Sequence, residues 1–113
     1  MLQGTAREIG EVVIVDFSGK ITLGEGSSTL LHTIRGLIDR GHRKIVLNLF
    51  DVDYIDSSGI GELVSGYTTV RNAEGDMKLL HLTKRVHDLL QITRLFTVFD
   101  VRSDEDDAIR SFS

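Results

Sequence analysis

The chain has 113 residues, 41% apolar and 27% charged, an ordinary globular balance that suffices for one domain with its own core. Thirteen basic against seventeen acidic residues leave a net charge of −4, and the pI is near 5.5, which argues against direct nucleic-acid binding. There is no cysteine, so disulfides, thiolate metal sites and thiol catalysis are excluded, and no apolar run has membrane-spanning length. With no signal-peptide pattern either, a soluble cytoplasmic domain without membrane insertion is expected.

No linker, repeat or low-complexity stretch interrupts residues 1–113, so one domain is expected. Arg7 to Gly10 reads as an edge strand and turn. Glu11 to Phe17 (EVVIVDF) is β-branched and apolar, as a buried strand should be. Ser18-Gly19 is expected to end it, and Lys20 to Gly26 reads as a loop. A first helix is expected from Ser27 or Ser28, either of which can cap it. Leu30, Leu31, Ile34, Leu37 and Ile38 form its apolar stripe, and Gly41 suits a left-handed close.

Lys44 to Phe50 (KIVLNLF) is nearly continuous in its apolarity, the mark of a central strand covered on both faces. Asp51 to Gly59 then reads as a loop feeding a second helix. Ile60, Leu63, Val64, Tyr67 and Val70 form the buried face of that helix, and Gly75 closes it. Met77 to Leu82 is a third strong strand. Thr83 caps a third helix with Val86, Leu89 and Leu90 inward. Phe96 to Val101 reads as the last strand. A final helix follows Ser103, with acidic residues in its first turn and Ile109 and Phe112 docking it. Such alternation gives an α/β fold: a mixed sheet with helices packed against it through right-handed crossovers. Chemistry in such sheets sits beyond the carboxyl ends of the strands, where Asp56 and Ser57 fall.

Asp56-Ser57-Ser58-Gly59 has a plain structural reading, because Asp and Ser are favoured caps. It also has a functional one. A serine in a first helical turn sits beside unpaired backbone N–H groups that accommodate phosphate. Phosphorylating Ser57 would add about −1.5 to −2 charges without opening the helix. Asp51-x-Asp53 after an apolar strand resembles the start of the haloacid-dehalogenase phosphatase motif, with one nucleophilic and one acid/base aspartate. Ile55 departs from that motif, and the lysine and second acidic cluster it needs are not found. A solvated turn is the better reading of this pair. Ile55 also breaks an EF-hand loop, and no G-x-S-x-G elbow, P-loop or dinucleotide fingerprint is present. His32, His42, His81 and His87 form no metal-ligand pair. His32 and His87 read as helix-surface residues, His42 as a loop residue and His81 as a strand residue.

The segment Asp51 to Gly66 (DVDYIDSSGIGELVSG) resembles the signature of STAS domains, in particular stand-alone bacterial anti-sigma factor antagonists. The likeness spans the chain, including the Phe17-Ser18-Gly19-Lys20-Ile21 turn, the long first helix and Leu89 to Phe99. It implies a STAS fold: a mixed four-to-five-stranded sheet with about four helices packed mainly on one side. It also implies partner switching. The unmodified antagonist would bind an anti-sigma factor that is also a serine kinase, and so free a sigma factor. The kinase would phosphorylate Ser57, the first serine after the aspartate, and the phosphoprotein would let go until a serine phosphatase resets it. By this likeness the partner-binding residues are Thr22, Asp56, Ser57, Ser58, Gly59, Ile60 and Gly61. The antagonist itself would be no enzyme and would have no catalytic residue, metal or cofactor; ATP and magnesium belong to the kinase. Ile60 and Leu63 divide between core and interface in a way the sequence leaves open. Thr22 departs from the pattern, since many antagonists carry aspartate after Gly-x-Leu or Gly-x-Ile. A hydroxyl that can hydrogen-bond near Ser57 stands there instead of an acidic contact. The alternatives are an unphosphorylated STAS module, in a stress-signalling scaffold or a lipid-transport complex, and, more remotely, a small phosphatase using Asp51 and Asp53.

Overall fold

The computed structural model describes residues 2–22 and 25–112, apart from the side chains of 25–28. Nine elements follow in order: β1 (Leu2–Ile9), β2 (Val12–Ile21), α1 (Glu25–Asp39), β3 (Lys44–Ile55), α2 (Ser57–Asn72), β4 (Asp76–Leu80), α3 (Lys84–Ile92), β5 (Asp100–Arg102) and α4 (Glu105–Arg110). The five strands lie side by side in chain order. β1 runs antiparallel to β2, and every later pair is parallel. Strands laid down in one direction with right-handed crossovers put α1, α2 and α3 on the same face.

The alternation of the strands explains both layers. Val13, Val15 and Phe17 of β2, Ile45, Leu47 and Leu49 of β3, and Met77 and Leu79 of β4 face α1–α3 in the main core. Val12, Ile14, Val46 and Leu80 face the other way, where Ala108, Ile109 and Phe112 cover them. Thus α4 alone packs on the far face, with Ile109 and Phe112 as its docking residues.

Several boundaries differ from the sequence expectation. β2 does not end at Ser18-Gly19; its pairing with β3 skips a residue there and resumes with Lys20 opposite Tyr54 and Ile21 opposite Ile55. Gly19, at φ 113°, sits opposite a bulge of β3, where Asp53 is the extra residue, rather than in a turn. Lys20 and Ile21 therefore belong to strand, as does Arg7's neighbour run back to Leu2. The same pairing makes strand of Asp51 to Ile55, so Asp51 and Asp53 are exposed strand residues and not a turn. α1 begins at Glu25, ahead of the expected serines, since glycine costs little in a first turn whose N–H groups are unpaired anyway. Ser27 and Ser28, expected as caps, lie instead within the first turn of α1, and their side chains, like Leu23 and Gly24 of the expected loop, are outside the described set.

Gly41 does take a left-handed conformation, at φ 93°. α2 is closed by Glu74, at φ 65°, whereas Gly75 is kept small by the Arg43 carbonyl, 2.6 Å from where its Cβ would be. β4 stops before His81, which turns out of the strand at φ 56°. Thr83 caps α3 as expected. Phe96 to Phe99 is not strand. Arg94, at φ 62°, closes α3, and the Leu95 N–H donates to the Leu90 carbonyl at 2.9 Å. The chain then turns while Leu95, Phe96 and Phe99 pack on the main core, so β5 holds only three residues. Asp104 caps α4.

Ion pairs fasten the far face. The Arg7 guanidinium donates to Asp16 at 3.0 Å and to Glu105 at 2.8 Å, joining β1, β2 and α4. The buried Lys78 ammonium meets Asp100 at 2.6 Å beneath the Phe112 ring, and Arg102 bridges Asp100 and Asp107 at 2.7 and 3.0 Å. The bond from Arg7 holds the Asp16 carboxyl below the ordinary carboxylate range, with Asn48 assisting and burial opposing. Arg102, then Lys78, do the same for Asp100.

Carboxyls depressed in the folded state stabilise fully above their unfolded value of 3.8 and lose that contribution as the pH falls through their lower folded values. Urea titrations should therefore show stability falling below about pH 4. Asp16→Asn should be less stable than the parent at neutral pH and lose less stability on acidification; parallel pH profiles would refute this assignment.

Candidate functional site

The last pairs of β2 and β3 bring Ile21 against Ile55, so Thr22 and Asp56 emerge at the same carboxyl end of the sheet. The Asp56 N–H donates to the Ile21 carbonyl at 3.3 Å. Asp56 then leaves the strand in extended conformation and becomes the N-cap of α2, its Oδ1 accepting from the Gly59 N–H at 2.9 Å. A cap of this kind contributes about 1 kcal/mol.

Ser57 is therefore the first helical residue and is relieved of capping. It is exposed, and among the described residues its hydroxyl makes no hydrogen bond. Ser58 is half-buried. Gly59 and Ile60 are buried, and Leu63 is fully so; both apolar side chains belong to the main core. Gly61 is exposed, with nothing near the position of a Cβ. Thr22 is half-buried at the same end, but among the described residues no hydrogen bond joins it to Ser57. The structure thus gathers Thr22 and Asp56 to Gly61 at one end of the sheet, with Ser57 and Gly61 outermost.

An open groove of about 740 Å³ begins at Asp56 and Ser57 and runs between Tyr54 and α3, where Lys84, Arg85, Asp88, Leu89 and Ile92 line it. The α3 side was not read as part of the site in the sequence. Its signal was the surplus apolar residue of α3, Ile92, which is 78% exposed. Lys84 closes on Asp88 at 2.7 Å, which lowers the Asp88 carboxyl and raises the lysine. Arg85 lies over the Tyr54 ring, 5.2 Å from its centroid. Lys20 lies 5.9 Å from that centroid and pairs with Asp53 at 3.3 Å.

Asp51 and Asp53 lie on the exposed side of β3, with Val52 between them in the core. Among the described residues no three His, Cys, Asp or Glu side chains group to hold a metal ion. His81 stacks edge-on to Phe50, His87 to Phe96, and His42 approaches Glu8 at 3.5 Å. No described helix is long and apolar enough to cross a membrane.

The glycines separate packing from openness. A Cβ on Gly59 would lie 2.2 Å from the Ile21 carbonyl oxygen, a clash with backbone. Gly59→Ala should cost about 2 kcal/mol or more. Gly61→Ala should be neutral or stabilising by up to about 1 kcal/mol through helix propensity. Equal thermal shifts for the two variants would contradict this placement of α2.

Comparison with known proteins agrees with this geometry. Residues 4–108 match the family model described as the STAS domain. The anti-sigma F factor antagonist of Paenibacillus polymyxa is 26% identical over 98 residues, covering 87% of this chain and 84% of that protein. The Bordetella bronchiseptica protein BtrV is 28% identical over 75 residues, covering 66% of this chain and 65% of its own length. In structure, the chain superposes on the phosphorylated form of the Bacillus cell fate determinant SpoIIAA with a TM-score of 0.73 at 18% identity, covering 98% of this chain and all of that one. The match over nearly the whole chain, together with the five-stranded sheet and the Asp56–Ser57 helix start, makes this chain a member of the STAS domain family.

Proposed function

We propose that this chain is a cytoplasmic anti-sigma factor antagonist and works as a binding protein rather than an enzyme. Its unmodified form docks, through the carboxyl end of the sheet, on an anti-sigma factor that is also a serine kinase, and a sigma factor is freed. The kinase transfers the γ-phosphoryl group of its ATP to the Ser57 oxygen; the hydroxyl proton departs and ADP is left. A serine phosphatase restores the hydroxyl by hydrolysis.

The observation that carries this reading is the exposed, unengaged hydroxyl of Ser57 beside a cap supplied by Asp56. A hydroxyl there can be pressed against a partner at small cost. A phosphate in the same place must be desolvated or repelled. A loss of about 3 kcal/mol at the interface already weakens binding more than a hundredfold. The sheet favours a docking surface too. Its strand order never reverses, so the sheet has no topological switch point, and the groove at its carboxyl end is an open one. The relatives named as anti-sigma factor antagonists support the partner class.

A second reading, an unphosphorylated STAS module in a stress-signalling scaffold or lipid-transport complex, draws on Thr22, where many antagonists carry an acidic residue.

Peptide mapping of protein purified from its native cells with phosphatase inhibitors should place a phosphate on Ser57. Ser57→Ala should keep the kinase partner and resist release by ATP. Ser57→Asp should bind at least tenfold more weakly with an unchanged thermal transition. Partner binding indifferent to both substitutions would favour the scaffold reading. A magnesium-dependent phosphate-ester hydrolysis abolished by Asp51→Asn would overturn the non-enzymatic assignment.

A further inference from the structure

We infer that Arg85 of α3 is an internal receiver for a phosphate on Ser57, so that modification folds the phosphate into the groove. This inference rests on the reading of Ser57 as the modified residue.

Three observations carry it. First, Ser57 of α2 and Arg85 of α3 line the same groove. Second, the cations of this end are unequally committed. Lys84 is held by Asp88 at 2.7 Å and Lys20 by Asp53 at 3.3 Å. Arg85 has no carboxylate partner among the described residues. Third, Arg85 is already held over the Tyr54 ring, three residues before Ser57, with its Cζ 5.2 Å from the ring centroid. A guanidinium stacked on an aromatic face keeps its N–H edge available for an oxyanion.

Phosphate oxygens accept paired N–H donors from arginine well, and a phosphoserine placed opposite arginine gains charge-assisted hydrogen bonds. The charged and titratable groups lining the groove are Asp56 beside the phosphate, Lys84, Arg85 and Asp88 from α3, and Tyr54 from β3, with Lys20 of β2, paired to Asp53, also near the Tyr54 ring. The two carboxylates repel a dianion. Asp88 is offset by Lys84, so beside the backbone N–H groups of the α2 start Arg85 is the side chain that attracts the phosphate. The unmodified groove is open to a partner and ends at the exposed Ile92. Once the phosphate and Arg85 meet across it, the end beside Ser57 is closed. Release then follows from occlusion of the docking groove as well as from added charge.

The test uses full-length protein carrying phosphoserine at position 57, installed during translation, so it is independent of any cellular kinase. The second ionisation of the phosphate is followed by ³¹P NMR in the parent, Arg85→Gln, Arg85→Lys and Arg110→Gln. Arg110 is on α4, on the far face of the sheet. The parent should titrate about 0.3–0.5 pH unit below Arg85→Gln, because a nearby cation favours the dianion. Arg85→Lys should recover part of the shift, and Arg110→Gln should match the parent. Equal midpoints for the parent and Arg85→Gln, or an equal shift from Arg110→Gln, would overturn the contact. Arg85 is exposed, and amide spectra of each variant check that the fold is retained. A titration shift without phosphate on Ser57 in cells would leave the contact standing and remove the switching role. Phosphate in cells without the shift would do the reverse.

Discussion

The approach of α2 to the end of β2 governs the candidate site of this molecule. The Ile21 carbonyl oxygen occupies the space that a Cβ on Gly59 would take, 2.2 Å away, and the same carbonyl accepts from the Asp56 N–H. Two neighbouring elements are thus pinned at one atom. That contact sets where the helix starts and which residue caps it. With Asp56 Oδ1 serving the Gly59 N–H, capping falls to the aspartate and the next residue is left outside the structural network. Ser57 is exposed because Asp56 and Gly59 take up the constraints on either side.

The two faces of the sheet divide the remaining work. Arg7, Asp16, Asn48 and Glu105 form one polar network on the far side, and Lys78, Asp100, Arg102 and Asp107 form another. These join β1, β5 and α4 to the central strands, where the small second core of Val12, Ile14, Val46, Leu80 and Ala108 has limited apolar area of its own. At the Ser57 end the ion pairs are exposed single contacts, Lys20–Asp53 and Lys84–Asp88, of the kind worth little to stability. Charge there can be rearranged by a partner or by a modification without loosening the fold. Charge on the far face cannot.

The sequence made the fold legible where periodicity was strong. Glu11 to Phe17 and Lys44 to Phe50 read as strands, the first starting one residue later in the structure, and the helical stripes of α1 to α3 fell where the structure has them. It misled where a residue had two uses. Gly19 signals a turn by type but lies within the strand opposite a bulge of β3, and whether a strand resumes beyond it depends on a neighbour that local sequence does not specify. Asp51 and Asp53 look like loop residues because strand propensity disfavours aspartate, yet exposed strand positions tolerate it. Phe96 to Phe99 alternates enough to mimic a strand, while tertiary packing of Phe96 on His87 and Phe99 on Tyr67 holds it as a turn. At the site, the Asp56–Ser57 helix start was legible because capping is local. The groove wall formed by Lys84, Arg85 and Ile92 was not, because only the crossover from β4 to β5 brings α3 beside Tyr54.

Placing a modifiable group outside the structural network solves an energetic problem. Domains of this size are stable by only about 5–15 kcal/mol, and a hundredfold change in partner affinity takes about 2.7 kcal/mol. A switch that drew this from folding would have to disrupt a cap or a core contact and would leave a large fraction of the chain near unfolding. Gly59, Ile60 and Leu63 carry the packing of the α2 start and are buried. Ser57 opens the same helix and carries none of it. A charge added at Ser57 would therefore act almost wholly on what can approach the groove and would leave the fold that presents the serine in place.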